Sequence, residues 1–100
     1  MERAHRVDPA TGQSVEVLLH DPFTAGNRWD QYQEVDLQFV DGRKYRTAFW
    51  RDPLERGRHW WEEPGMVIVH DLTCDLILAA VDDILRQGAV EKAFELVGGP

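Results

Sequence analysis

The sequence predicts an α+β fold: an antiparallel or mixed sheet of about four strands packed against two C-terminal helices, with a short helix between strands. Apolar and polar residues alternate over residues 33–40, which is typical of a half-buried strand. Apolar residues recur at intervals of three and four over residues 76–85, which is typical of an amphipathic helix. A chain of 100 residues builds one core, which excludes a TIM barrel and a two-domain Rossmann enzyme. We therefore expect a polar N-terminal segment over residues 1–13 and a single domain over residues 14–97.

The first two strands of the predicted domain lie on either side of a loop that contains Pro, Gly and Asn. Residues 14–20 are rich in β-branched and aliphatic side chains and predict one strand. The alternating segment 33–40 predicts the next strand, with Val35, Leu37 and Phe39 on its buried face.

A hairpin turn at Asp41-Gly42 connects this strand to a returning strand over residues 44–50. A two-residue turn would set Leu37 opposite Arg46 and bury the charge, because opposed residues share a face. A three-residue loop keeps apolar residues together and places the glycine in the left-handed conformation of a bulged turn. The pairs that this register predicts are Leu37 with Tyr45 and Val35 with Thr47.

The segment after the hairpin predicts a short helix and then an interior strand. Asp52 as N-cap and Pro53 at the first helical position predict a helix that ends near Arg58. The continuous apolar run of residues 66–71 predicts a strand inside the sheet, covered on both faces.

Two helices complete the predicted order. Thr73 is the predicted N-cap of the main helix and Gly88 ends it, while Asp82 and Arg86 are spaced to form an ion pair on its polar side. The apolar stripe of this helix consists of Leu76, Ile77, Ala80, Val81, Ile84 and Leu85. The apolar residues on one side of a short final helix are Val90, Phe94 and Val97.

The net charge of −7 bears on the partners that we expect. An acidic surface repels nucleic-acid phosphates and anionic membranes, so we expect neither as a partner and favour a basic protein. The sequence contains no apolar run long enough for a membrane span or a signal peptide, so the predicted location is cytoplasmic. Because no cofactor motif is present, we expect no cofactor.

Two His-Asp pairs are the most enzyme-like feature of the sequence. His20 and Asp21 end one predicted strand, and His70 and Asp71 end another. If the two strand ends meet, these side chains would hold a divalent metal, as in a small metal-dependent hydrolase. The alternative is a pair of strand ends with solvated polar residues, which we favour because the spacing matches no metal motif.

Cys74 is the only cysteine, so the chain forms no internal disulfide. Its place at the start of the main helix would lower the pKa of a nucleophilic thiol, with His70 upstream as the candidate base. A small structural cysteine is the favoured alternative.

An aromatic and basic segment offers a binding surface. It contains Trp50, Trp60 and Trp61, with Arg56 and Arg58 between them. Trp and Arg are enriched at the centres of protein interfaces, and similar mixtures stack on single-stranded nucleic acid. Because adjacent strand residues face opposite ways, we expect one of the two adjacent tryptophans on the surface. The competing interpretation is that these aromatic side chains close the small core.

The polar side of the main helix is acidic and carries Asp75, Asp82 and Asp83. Such a run is most often a solvated face, and its functional alternative is a docking surface for a basic partner.

A series of short segments runs from residue 35 to residue 94. An alternating strand is followed by DGR, KYRTAFW, GRHWW, the DLT turn at residues 71–73 and a helix that ends near Gly88. This pattern resembles small bacterial proteins that are similar to immunity proteins, the single-domain inhibitors of a cognate toxin. The resemblance implies an α+β fold and an inhibitory role, and it carries no binding residue over to this chain.

These patterns predict a non-catalytic domain that binds another protein, as an inhibitor or adaptor, through the acidic helix face or the Trp/Arg segment. One alternative is a structural homodimer in which the strand over residues 45–50 pairs with its twin at a sheet edge. The other is the metal-dependent hydrolase.

Overall fold

The computed structural model of the chain describes residues 1–24, 31–52 and 59–99, and within these ranges it leaves out the side chains of Phe23, Thr24 and Glu62. The short helix predicted after Asp52 falls on residues 53–58, outside the described residues. The strands are β1 (Glu2–Val7), β2 (Ser14–Leu19), β3 (Phe23–Thr24), β4 (Gln31–Phe39), β5 (Lys44–Arg51), β6 (His59–Glu63), β7 (Met66–Val69) and β8 (Glu95–Gly98). The helices are α1 (Cys74–Arg86) and α2 (Val90–Ala93).

The described strands form one eight-stranded sheet in the order β1-β2-β4-β5-β7-β6, with β3 beside β4 and β8 beside β5. All neighbours are antiparallel except β5 and β7, which are parallel. The prediction of about four strands packed against two C-terminal helices is therefore wrong. Most of the described chain lies in the sheet. The two described helices are α1, with 13 residues, and α2, with four residues.

The predicted hairpin register between β4 and β5 is confirmed. Leu37 pairs with Tyr45 and Val35 with Thr47. Gly42 has a φ of 98°, in the left-handed region that a side chain rarely adopts, and its N–H donates to the Phe39 carbonyl at 3.0 Å. The loop therefore has the length that keeps the apolar residues of both strands on the same face.

The edge of β5 that faces away from β4 pairs with two different strands. Residues 48–51 pair with the parallel strand β7, and residues 44–46 pair with the antiparallel strand β8. The predicted interior strand in this region is confirmed, since Val67, Ile68 and Val69 are buried between β5 and β6.

The predicted final helix is present as α2 from Val90, but its predicted extent to Val97 is wrong, because α2 ends at Ala93 and the chain becomes extended at Phe94. The following residues form β8 along the open half of the β5 edge, so Phe94 is buried in the core whereas Val97 is 51% exposed. The backbone hydrogen bonds that β5 offers outweigh the helical spacing of three apolar residues.

Strand β1 lies in the segment that we separated from the domain as residues 1–13. It pairs with β2 along its whole length, from Glu2 opposite Leu19 to Val7 opposite Ser14. The β1 segment ERAHRV has no apolar alternation, so its sequence carries little strand signal.

Helix α1 begins and ends as predicted. The Thr73 hydroxyl accepts the Leu76 N–H at 3.2 Å, and Gly88 follows the helix with a φ of 65°. Five residues of its predicted stripe pack on one face of the sheet and form the core with residues of β2, β4, β5 and β7: Ile77, Ala80, Val81, Ile84 and Leu85. Leu76, the sixth predicted member, is half-buried and lies outside this core, whereas Leu78 packs against it. The predicted Asp82–Arg86 pair is wrong, since Asp82 binds Arg6 of β1 and Arg86 binds Asp83.

Candidate functional site

The face of the sheet opposite the helices carries a continuous row of large side chains across four strands. Tyr32 of β4 pairs with Trp50 of β5, Trp50 pairs with Ile68 of β7, and Ile68 pairs with Trp60 of β6. Residues that pair directly share a face, so these four side chains lie side by side. We call this set the aromatic row. At one strand spacing per step, it spans about 14 Å.

Two rings of the aromatic row, those of Tyr32 and Trp50, pack against each other. The centroids of Tyr32 and Trp50 lie 4.8 Å apart with an interplanar angle of 30°. Tyr32, Trp50 and Trp60 are half-buried, whereas Ile68 between the tryptophans is only 8% exposed. Both helices pack on the other face of the sheet, so no described helix covers this row.

The two adjacent tryptophans of β6 point to opposite faces, as predicted. Trp60 belongs to the aromatic row, and Trp61 packs against the core below the sheet. Trp50 also belongs to the row, while its neighbour Arg51 forms an ion pair with Asp71 at 3.1 Å. Arg56 and Arg58, the other predicted members of this surface, lie outside the described residues.

A charged cluster lies on the same face, closer to the middle of the sheet. The Asp36 carboxylate accepts hydrogen bonds from Arg46 Nε at 2.7 Å and from the second guanidinium nitrogen at 3.1 Å. His20 Nε2 lies 3.0 Å from Asp36 Oδ2, the oxygen that also accepts from Arg46 Nη2. Burial raises the pKa of Asp36, but the bonds and charges of Arg46 and His20 outweigh it, so the pKa falls below its ordinary value. Asp36 is therefore an ionised anchor for two side chains.

The two predicted His-Asp pairs do not converge. β2, β5 and β7 run in the same direction, so His20 and His70 do follow strands that end at the same edge of the sheet. However, β4 and β5 lie between those strands, which separates their ends by about 14 Å. Among the described residues, no group of three His, Cys, Asp or Glu side chains is placed to hold a metal ion.

Each carboxylate of those pairs has a different partner. Asp21 binds the N-terminal ammonium of Met1 at 3.1 Å, and Asp71 binds Arg51. His20 contacts Asp36, whereas the buried Nδ1 of His70 has no hydrogen-bond partner among the described residues. This arrangement gives no support to the hydrolase alternative.

Cys74 faces a cleft of about 190 Å³ that Glu2, His20 and Leu72 also line. The thiol donates a hydrogen bond to Glu2 Oε2 at 3.0 Å. That bond, burial and the negative charges of Glu2 and Asp75 raise the pKa of Cys74 above its ordinary value. A thiol that stays protonated is a poor nucleophile, so the helix N-terminus does not activate this side chain.

The acidic side of α1 is partly neutralised within the chain. Asp82 binds Arg6, and Asp83 binds Arg86, Gln87 and His59, whose Nε2 lies 2.8 Å away. The bond with His59, followed by that with Gln87, lowers the pKa of Asp83. Asp75 remains exposed at the first turn of the helix.

Sequence reasoning missed Tyr32 and Ile68 of the row and Asp36 of the charged cluster. Tyr32, Glu34 and Asp36 are two residues apart, so they share one face of a strand. If the predicted strand had begun at residue 31 instead of residue 33, Tyr32 would have been placed on the face away from the core. The order of strands, which brings residues 32, 50, 68 and 60 into line, has no signal in the local sequence.

No described helix is long and apolar enough to cross a membrane. No protein-family model, curated protein or solved structure matches the chain.

Proposed function

We propose that this chain is a non-catalytic domain that binds a basic protein, as an inhibitor or adaptor, and that the aromatic row is the centre of its binding surface. The observation that carries the proposal is the alignment of Tyr32, Trp50 and Trp60 on the sheet face that no described helix covers. Large aromatic side chains with a rigid position are the residues that contribute most to protein interfaces.

The charges next to the row agree with a basic partner. The exposed Glu63 lies at the end of β6, and Glu34 follows Tyr32 on the same face of β4, where its carboxylate lies 3.5 Å from Arg46 Nε. With a net charge of −7, the whole chain attracts a cationic protein and speeds its association. The acidic helix face is a weaker candidate for the contact, since Asp82 and Asp83 already bind side chains of this chain.

The proposal is tested with the tagged chain as bait in a lysate of its source organism. Three baits are compared by quantitative mass spectrometry: the wild type, Trp60→Ala in the aromatic row, and Asp75→Asn on the exposed helix face. We expect one basic protein on the wild-type and Asp75→Asn baits at high salt, and a loss of at least about tenfold on Trp60→Ala. Circular dichroism of each bait confirms that its fold is intact.

The purified partner then maps the surface by amide chemical shifts of the labelled chain. Shifts grouped at Trp50, Ile68 and Trp60 would support the proposal. Capture that is unchanged by Trp60→Ala, or shifts confined to α1, would reject the aromatic row as the binding surface.

A further inference from the structure

Strand β1 is one edge of the sheet, and the described part of the chain places no strand beyond it. The direction of its backbone groups follows from the ladder with β2. Asp8 N–H donates to the Gln13 carbonyl at 2.9 Å, in continuation of the β1–β2 register. Hydrogen-bonded pairs alternate along antiparallel strands, so Glu2, Ala4 and Arg6 bond to β2.

The backbone N–H and C=O groups of Arg3, His5 and Val7 consequently point away from the sheet. The other edge of β2 gives an independent check. His20 N–H donates to the Glu34 carbonyl at 3.0 Å, so the even-numbered residues of β2 bond to β4 and the odd-numbered ones face β1. Among the described residues, the His5 carbonyl of this row already accepts a hydrogen bond from Arg6 Nη1 at 2.9 Å. The other outward donors and acceptors of this six-residue strand are a template for another strand.

We propose that a second copy of this chain binds that edge by antiparallel pairing of β1 with β1, with Ala4 on the two-fold axis. The two sheets then form one continuous sheet through the dimer. This interface is separate from the aromatic row, which lies toward the opposite edge of the sheet.

The register follows from charge. In a two-fold antiparallel pair, the residues whose backbone groups point outward must face each other. A pair centred on Arg3 would set two arginines in direct opposition, and one centred on His5 would set Glu2 against Asp8 of the partner subunit. Centring the pair on Ala4 instead sets Glu2 opposite Arg6 of the partner subunit, twice by symmetry.

The side chains on the helix-covered face fit this register. Glu2 and the partner subunit's Arg6 occupy a non-hydrogen-bonded site, where opposed Cα atoms approach to about 4.5 Å. Arg6 binds Asp82 through Nε and the His5 carbonyl through Nη1. In the dimer, Nη1 would turn to Glu2 of the partner subunit and leave the His5 carbonyl to the N–H of the partner subunit's Arg3, so the guanidinium would lie between two carboxylates. The small Ala4 side chains meet at the axis without a clash.

The other face of the paired strands also accommodates the register. Arg3 faces His5 of the partner subunit while it binds Glu16 of its own chain at 3.1 Å, which offsets its charge. Charged side chains on an edge strand commonly discourage pairing, whereas opposite charges that lie directly across from each other stabilise it. In this register, unlike charges meet at Glu2 and Arg6.

Charge reversal tests the pair and its register together. Sedimentation equilibrium over a range of concentrations is run on the wild type, Glu2→Arg, Arg6→Glu and an equimolar mixture of the two variants. Each variant alone opposes like charges twice, whereas the mixed dimer pairs Arg with Glu at both sites. We expect a wild-type dimer, at least about tenfold weaker association of each variant, and recovery in the mixture.

Glu91→Arg on α2 makes the same change of charge away from β1 and should leave the dimer constant unchanged. A wild-type chain that is monomeric at every concentration would overturn the proposal. Failure of the mixture to recover would overturn the register.

A backbone variant tests the edge itself. His5→Pro removes an N–H that points outward, so it spares the ladder with β2 but blocks a strand from pairing with β1. We expect a folded monomer, while His5→Ala remains a dimer. A His5→Pro chain that dimerises as tightly as the wild type would place the interface elsewhere, and if this variant fails to fold, the charge-reversal mixture decides.

Discussion

The two faces of the sheet use the same strands in different ways. On the helix-covered face, Val17, Leu37 and Phe49 are fully buried and contact α1 residues in a continuous core. On the uncovered face, large rings occupy one end of the strands, and ionic groups around Asp36 occupy the middle. The first face therefore contributes stability through burial, while the second combines modest stability with groups that another molecule can contact.

Each face of the sheet also contains residues of the opposite polarity. Thr47 is a polar residue on the covered face, and its buried hydroxyl has no hydrogen-bond partner among the described residues. Leu18 and Ile68 are apolar residues on the uncovered face and are only 7% and 8% exposed. The neighbouring side chains on that face are long enough to shield single apolar residues without a helix above them.

The largest expected change in stability distinguishes variants at two consecutive residues of β5. Phe49→Ala opens a cavity in the core and should lower the free energy of unfolding by about 3–5 kcal/mol. Trp50→Ala removes a half-buried ring stacked on Tyr32 and should cost only about 1–2 kcal/mol. Urea denaturation of both variants measures the difference, and equal losses would contradict the distinction between the two faces.

The charged cluster of the uncovered face should respond to both mutation and pH. Asp36→Asn removes an ionised partner of Arg46 and His20 and should lower the free energy of unfolding by about 1–3 kcal/mol at neutral pH. Because folding lowers the pKa of Asp36, the stability it contributes is present above the ordinary pKa of an aspartate and is lost as pH falls through the lowered value.

The matched control for that experiment is Asp75→Asn, which alters an exposed carboxylate. Denaturation curves from pH 7 down to about pH 2 should bring wild type and Asp36→Asn closer together below about pH 4. A difference that stays constant over this range would show that the charge of Asp36 has no part in its contribution.

The smallest effect concerns two threonines with opposite roles. Thr47→Val replaces an unpaired buried hydroxyl by a methyl group and should raise the free energy of unfolding by about 1 kcal/mol. Thr73→Val removes the N-cap of α1 and should lower it by about 1 kcal/mol. Thermal and urea denaturation test both, and a loss of stability in Thr47→Val would mean that its hydroxyl does have a partner.

Local patterns in the sequence were sufficient for the elements that fold on themselves. The β4–β5 register followed from the parity of Leu37 and Tyr45, and α1 followed from its cap and stripe. The sequence did not predict β1 or β8 as a strand, for two different reasons. β1 has no apolar alternation, and β8 has helical spacing, so in each case the pairing strand rather than the segment decides the conformation.

The candidate site was predictable only in part. Trp50 and Trp60 stand out by composition, and their chain neighbours fix which face each occupies. Their alignment with Tyr32 through Ile68 depends on the crossover that places β7 between β5 and β6. The link from His20 to Asp36 likewise requires β2 beside β4, a neighbourhood that pattern and spacing do not encode.

The shared edge of β5 has a consequence for how the chain folds as it is synthesised. β1, β2, β4 and β5 pair with strands close by in the sequence, and they can assemble as the chain emerges from the ribosome. Residues 44–46 keep their outer hydrogen-bonding groups open until β8 has been made. A nascent chain that stalls before residue 95 therefore exposes a strand edge in the middle of its sheet, which makes it prone to aggregate with its neighbours.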